Sequence, residues 1–438
     1  MKNSLLSFRF KMTSALIIIT AIVLNVNGQK TGASSQVYDD NPNRDQIPQW
    51  YLEQIQGSTK APSVVVTDAD NFDNFYLGVD FAESHISVNP TDPTEFFTTY
   101  NTDATHSTQD GHDWNNATAV SWGTTIRGDV LSAYDGYGRL YYENMYGSPS
   151  ILGCLVARST NNGASWSSPV TAISGVDKNW MAVDQSTGGP YSGYLYTVMT
   201  TSSGGAFARS TNNGVSFSTT FTPSTQSLPG MMVCVGPNGT TDGGSVYVVT
   251  NGGSSTASTY TFYRSTNGGA SFSLMSSQNF AGYVGTWVNS RHSVENMRTR
   301  PYPFIAADNS DGPYRGRLYL VYASNTPAGS GNYPSIWCRY STNGGTTWSS
   351  AYRVNDDTDY LTNHHWAPAI WCDAVTGRLY IHWMDTRGDS GDDEALIYAT
   401  YSDNGGTSFA TNQAISNEKM LINCTTCGGG GTPRYQGD

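Results

Sequence analysis

After residue 80 the chain is a succession of short apolar runs broken by turns rich in Gly, Asn, Ser and Asp. The runs alternate with period two and favour Val, Tyr, Trp and Thr, which predicts β-strands. No long amphipathic helical pattern interrupts them. A first type of run ends in a polar turn: His85–Pro90, Val130–Asp135, Trp180–Asp184, Met231–Pro237, Pro303–Asn309 and Pro368–Asp373. A second type follows it, as in RLYYENMY from Arg139, YLYTVMT from Tyr194, SVYVVT from Ser245, RLYLVYAS from Arg317 and RLYIHWMD from Arg378. A third strand (LVARS, FARS, FYRS, CRYS, YATYS) runs into a recurring turn, and a fourth leaves it.

That turn is one eight-residue pattern: STQDGHDW from Ser107, STNNGASW from Ser159, STNNGVSF from Ser210, STNGGASF from Ser265, STNGGTTW from Ser341 and SDNGGTSF from Ser402. The serines are 52, 51, 55, 76 and 61 residues apart. A period of about 40–60 residues with four strands per repeat predicts an all-β fold, a β-propeller with one four-stranded antiparallel blade per repeat. Six copies predict six blades, or seven if the chain is a fragment. Side chains of Ser and Asn bond the turn's own amides, and the shared Gly supplies positive φ. The closing Trp or Phe is placed to insert between blades.

Residues 1–28 carry Lys2, Arg9 and Lys11 ahead of the apolar run Ala15–Leu24, too short for a comfortable membrane span, and end in small residues. They read as a cleaved export signal, so the mature chain is expected to be secreted, with no membrane span. The leader holds three of the 23 Lys+Arg and none of the 35 Asp+Glu, leaving 20 − 35 = −15. An acidic surface without a basic stripe argues against nucleic acid as a partner. Residues 29–79 form an N-terminal extension able to lend a strand to the ring, 80–416 the repeats, and 417–438 a C-terminal segment that looks like the approach to another strand. Cys154, Cys234, Cys338 and Cys372 sit in strand-like runs and read as buried small hydrophobes, whereas Cys424 and Cys427 favour a local disulfide.

The repeated turns resemble the Asp-box, or BNR repeat, of sialidase-like propellers, Ser-x-Asp-x-Gly-x-x-Trp, over about His85 to Ala414. Here the third position is Asn161, Asn212, Asn267, Asn343 and Asn404, with Gln109 in the first copy. The boxes are therefore expected to fasten blades rather than bind ligand. Chemistry is expected in loops on the opposite face: TIRGDV, VDKNW, NSRHSVENMRTRP, NDDTDYLTNHHW and DTRGDSGDDE.

The resemblance implies three arginines on a substrate carboxylate, a Tyr nucleophile activated by Glu, and an Asp acid. Mapped onto those loops it nominates Arg127, Arg300 and Arg387 as clamp, Tyr360 as nucleophile, Glu295 as its partner and Asp129 as acid. Asp177, Trp180, Arg298, His365 and Trp366 are expected to contact substrate. The family's Arg-Ile-Pro motif is missing from the first repeat, where FYLGVDFAESHISV has no arginine. No organic cofactor is implied. Asp389, Asp392 and Glu394 offer oxygen ligands that suit calcium, without an EF-hand's spacing. Two readings stand: a secreted sialidase-type glycosidase acting on extracellular glycan or glycoprotein, and a non-catalytic surface propeller that binds one. Converging arginines favour the first; scattered arginines, or an axis filled by Trp and Tyr, favour the second.

Overall fold

The computed structural model describes residues 64–67, 72–77 and 83–422, apart from 102, 255–256, 289–290, 296, 326–332 and 392. The expected leader, most of the N-terminal extension, and Cys424 and Cys427 lie outside the described residues. Among those described, every regular element is a β-strand.

Six antiparallel sheets follow one another, each with four strands hydrogen-bonded in chain order. Sheet one comprises His85–Asn89, Asp92–Thr99, Thr105–Thr108 and Asn115–Asn116; sheet two Ile126–Tyr134, Leu140–Tyr146, Gly153–Ser159 and Val170–Ser174. Sheet three has Asp177–Val183, Leu195–Thr201, Gly204–Ser210 and Ser218–Phe221, and sheet four Met232–Asn238, Thr241–Ser254, Ala257–Ser265 and Ser273–Ala281. Sheet five is built from Phe304–Ala307, Leu318–Ser324, Ser335–Ser341 and Tyr352–Arg353. Sheet six has His365–Cys372, Leu379–Asp385, Glu394–Ser402 and Gln413–Ala414, with Met420–Leu421 also paired to its third strand. The first strands of successive sheets pack on one another from sheet one through sheet six. First strands are thus innermost and the sheets radiate from them, the arrangement of a β-propeller. Two further elements appear: a small three-stranded sheet (Thr286–Val288, Arg291–Val294, Met297–Arg298) in the long insertion, and a hairpin of Val64–Thr67 with Asp73–Tyr76.

Sandwiched strands have no solvent face, so their sequences should be apolar on both sides. The second strands Leu140–Tyr146, Leu195–Thr201 and Leu318–Ser324 behave this way, being buried almost throughout. The four cysteines within the sheets are buried free thiols.

Five of the six boxes make the same turn. In sheet two, Asn161 Oδ1 accepts from the Ser159 hydroxyl and the Ser165 amide, both at 2.9 Å, and the Gly163 amide donates to Ser159 Oγ at 3.0 Å. The Asn161 Nδ2 also donates to Ser165 Oγ at 2.9 Å. The boxes of sheets three to six repeat this last bond, to Ser216, Ser271, Thr347 and Ser408. An amide at the third position is therefore matched by a hydroxyl at the seventh, which gives the neutral side chain a donor bond that a carboxylate lacks. The first copy departs from the expected register. Its turn is one residue tighter and centres on Asp110, whose Oδ1 accepts from Thr108 Oγ1 (2.9 Å) and the amides of His112 (2.8 Å) and Asp113 (2.7 Å).

Each box reaches back to the preceding sheet. Trp166 lies 5.5 Å from Phe97, Phe272 lies 4.8 Å from Phe207, Trp348 lies 4.4 Å from Phe262, and Phe409 lies 5.4 Å from Tyr352. Gly269 shows how close the approach is: with φ of +75°, a Cβ there would come within 2.7 Å of Phe207. Third-strand arginines complete the seam by donating forward, Arg158 to Asn213 O (3.0 Å) and Arg209 to Gly268 O (2.7 Å).

Candidate functional site

Box turns occupy one face of the fold, so the loops entering each first strand lie on the other. Three first strands begin there with a β-bulge carrying a non-glycine residue at positive φ. These are Asp129 (φ 47°) in sheet two, Lys178 (φ 41°) in sheet three and Ala367 (φ 48°) in sheet six. Bulges re-aim side chains at strand ends, and such backbone strain gathers at functional positions. The turn residue Glu295 in the insertion shares the conformation (φ 48°).

Trp180, on the first strand of sheet three, sits with its ring 5.7 Å from His85 of sheet one and 5.6 Å from Phe304 of sheet five. A side chain touching three alternate sheets occupies the axis. Above it the Lys178 ammonium lies 5.0 Å from the Tyr302 ring centre, and Lys178 is itself buried. The axial space is filled by an aromatic plug with a cation–π pair over it. Burial pushes the His85 imidazole down to about 4, so the ring beside the plug is neutral.

Arg127 turns away from the axis. Its Nε donates to Gly147 O at 2.7 Å and an Nη2 hydrogen to Pro149 O at 2.5 Å, within its own sheet's loop. The neighbouring Asp129 amide donates to Asn101 Oδ1 at 2.6 Å. Asp177 is buried beside Lys178. Between sheets two and three lies Glu143, which sequence reasoning passed over. It is fully buried, with Oε1 accepting from Asn179 Nδ2 at 2.5 Å and Thr197 Oγ1 at 3.1 Å. Burial, outweighing those hydrogen bonds, pushes its carboxyl up to about 7. The signal was present: where RLYYENMY has Glu143, the corresponding strands of sheets three and five have Val198 and Val321. Asp103, on the loop after the second strand of sheet one, is a second unforeseen acid. It accepts from Tyr142 OH (2.5 Å), Trp122 Nε1 (3.2 Å) and Asn144 Nδ2 (3.2 Å), yet burial raises its pKa.

On sheet six the nominated residues do come together, but around one another. His365 Nε2 lies 3.1 Å from Asp357 Oδ2 and 3.6 Å from Asp385 Oδ2, all three buried. Burial alone would raise the Asp357 carboxyl; the His365 hydrogen bond and charge, with Asn355 and Asn363, hold it well below the usual range. The Arg387 guanidinium donates to Asp385 Oδ2 (2.8 Å), Asp356 Oδ1 (2.7 Å) and Asn412 Oδ1 (2.9 Å). These contacts tie most of its five N–H donors to residues of sheet six and of the loop that precedes it.

The insertion docks over sheets five and six. Glu295 Oε1 lies 3.8 Å from His364 Nε2, and Trp366, also buried, donates its Nε1 proton to Met297 Sδ at 3.1 Å. Arg298 is buried in the third strand of the insertion, two residues before Arg300. Tyr360 instead lies under the Arg353 guanidinium, 3.5 Å from its ring centre, beside the outermost strand of sheet five. The nominated nucleophile and its nominated partner thus engage different residues.

Asp389 and Glu394 hold the Lys419 ammonium, at 3.3 and 3.4 Å, and Asp389 Oδ2 accepts from the Asp393 and Glu394 amides. Asp392 lies outside the described residues. A cation of the chain's own meets the charge that a calcium ion would meet, and the described residues contain no group of three His, Cys, Asp or Glu arranged to hold a metal.

No protein-family model and no curated protein matches the chain. Among solved structures it is similar to a GH74 xyloglucanase from Xanthomonas campestris, at 14% identity and a TM-score of 0.47 over 80% of this chain. It spans 46% of that enzyme's length. It is also similar to AofleA from Arthrobotrys oligospora (10% identity, TM-score 0.45, covering 78% of this chain and 88% of that one). A third similar structure is a Hadza microbial sialidase (12% identity, TM-score 0.43, 68% of this chain and 62% of that one).

Proposed function

We propose that the chain is a secreted, six-bladed Asp-box propeller that binds extracellular glycan or glycoprotein without hydrolysing it. The observation that carries this reading is the plugged axis: Trp180, between His85 and Phe304, fills the space in which a convergent arginine clamp would grip a carboxylate. Sialidase-type catalysis rests on donors aimed at the reacting group before it arrives. Arg127 and Arg387 are instead turned to carbonyls and carboxylates of their own sheets. The strained loop-face rim around Asp129, which is partly exposed, is the surface on which a polar ligand is expected to sit. No cofactor takes part in this reading, and calcium is not required for it.

One observation favours the hydrolytic alternative. Asp103 is a half-buried carboxyl on the loop face with a raised pKa, the property of a general acid. Fluorogenic sialosides and neutral glycosides, assayed beside a glycan array, separate the two. Binding on the array with no release of fluorophore is expected. Turnover on any substrate that disappears in Asp103→Asn establishes the hydrolase and removes the binding-only reading.

A further inference from the structure

The second strands of sheets two and five are entered by the same Arg-Leu-Tyr, Arg139 to Tyr141 and Arg317 to Tyr319. In both sheets an aspartate, Asp135 or Asp308, follows the end of the first strand. The register is shared as well: Tyr134 pairs with Leu140 and Ala307 with Leu318. The Asp amide donates to the Arg carbonyl at 3.0 Å in sheet two and 2.9 Å in sheet five. In sheet two the three side chains close on one another. Asp135 Oδ2 accepts from Arg139 Nε at 2.6 Å and from the Tyr141 hydroxyl at 3.0 Å.

In sheet five the same trio stays apart. The Arg317 guanidinium lies over the rings of Tyr314 (4.5 Å) and Tyr340 (4.2 Å) and donates from Nη1 to Gly405 O of sheet six. Asp308 Oδ1 is taken by the amide and hydroxyl of Ser310, at 2.9 and 2.6 Å. Three buried atoms then have no partner in the protein: Asp308 Oδ2, Arg317 Nε and the Tyr319 hydroxyl. Burial pushes the Tyr319 phenol up. After it, the charges of Cys372 and Asp308 raise it further while that of Arg317 lowers it, which sets these groups around the hydroxyl. Sheet six closes the other side: a Cβ on Gly377, whose φ is +72°, would come within 2.7 Å of Ser310 Oγ and 3.1 Å of Asp308 Oδ2. One on Gly406 would meet the Tyr319 ring at 3.4 Å.

Buried polar groups are hydrogen-bonded in native proteins, to protein or to water. Here the carboxylate requires a donor, the guanidinium an acceptor, and the hydroxyl takes either. Direct closure as in sheet two would pull Arg317 from Gly405 and from both tyrosine rings. A cation is unsuited beside Arg317, and an anion beside Asp308. We propose that Asp308, Arg317 and Tyr319 bind one structural water at the seam between sheets five and six. It donates to Asp308 Oδ2, accepts from Arg317 Nε, and makes its third bond with the Tyr319 hydroxyl, the usual number for a buried water. The water links the arginine that holds the box of sheet six to the end of the first strand of sheet five. Because Gly377 and Gly406 wall it in, the site is complete only with sheet six docked. This inference does not depend on the binding-only reading.

A crystal structure of the full chain, at a resolution that shows ordered solvent, tests this directly. One density peak is expected about 2.5–3.2 Å from each of Asp308 Oδ2, Arg317 Nε and Tyr319 Oη, with direct bonds in its place at Asp135, Arg139 and Tyr141. Oxygen-17 relaxation dispersion of the solvent reads the same site in solution, since its amplitude counts buried, slowly exchanging waters. Asp308→Glu carries a carboxylate oxygen one methylene further, into the water's position, and should lower that count by about one. Val375→Ser, on an exposed turn of sheet six, should leave it unchanged. Bonds running directly from Arg317 Nε or Tyr319 to Asp308 overturn the proposal. So do three unbridged groups with no density peak between them, or an amplitude that Asp308→Glu does not change.

Discussion

Replacing Glu143 by Gln should change the pH dependence of stability more than stability itself at low pH. The carboxyl is fully buried and its pKa rises from 4.5 to about 7. Because the folded state holds the proton more tightly than the unfolded one, the stability from the neutral form is complete below pH 4.5. It is lost progressively as pH rises toward 7. The rise from 4.5 to about 7, at about 1.36 kcal/mol per pH unit, amounts to about 3 kcal/mol between those limits. Gln keeps an oxygen for the Asn179 amide and the Thr197 hydroxyl and removes the ionisation. Urea unfolding of both proteins at pH 4.5 and pH 8 gives the double difference directly, and groups common to both proteins cancel from it. The variant should gain about 3 kcal/mol relative to the native chain across that interval. A double difference within about 0.5 kcal/mol of zero, the usual error for independent sites, would refute the claim that burial governs this carboxyl.

His85→Gln tests the opposite slope: the imidazole is depressed to about 4, so its contribution is present above pH 6.5 and is lost as pH falls toward 4. Relative to the native chain, the two variants should tilt the stability profile between pH 4.5 and 6.5 in opposite senses in urea titrations. Asn267→Ala removes the Ser265 and Ser271 bonds of one box and should cost about 1–2 kcal/mol, whereas Asn267→Asp should cost less because the Ser271 hydroxyl can reverse its bond; denaturant midpoints compare the two. Arg387→Met takes the guanidinium from Asp385 and Asp356 while His365 still faces Asp385, and should cost about 1–3 kcal/mol, measured by the same unfolding assay.

Strand order, the box turns and the buried cysteines were legible in the sequence because each depends on neighbours a few residues away. Alternation reports sandwiched strands, and an Asn with a Ser or Thr four residues on reports the turn that joins them. The first box was misregistered for an equally local reason. Asp110 competes with Gln109 for the turn amides, and the shorter carboxylate wins by reaching two of them at once. The site resisted because its geometry is decided by which carbonyls and carboxylates of the surrounding loops fold onto each side chain. Arg127 and Arg387 have the right residue type in the right loops, yet Gly147 and Pro149 claim one and Asp385 and Asp356 the other. Residue type shows that a guanidinium is available; only packing shows what it already holds.

The same distinction explains how the axis relates to its rim. An aromatic at the start of a first strand can line a channel or close it, and the choice turns on bulge geometry that periodicity does not encode. At Lys178 one residue is added between Asp177 and Asn179, shifting the register of the strand that follows. Trp180 then meets His85 and Phe304. Without the added residue the alternation of the strand would flip, exchanging the face that carries Trp180 with the face that carries its neighbours. The positive φ at Lys178 is thus coupled to the plug. Any ligand held at this mouth must bind on top of a filled axis, through the rim groups that the bulges present.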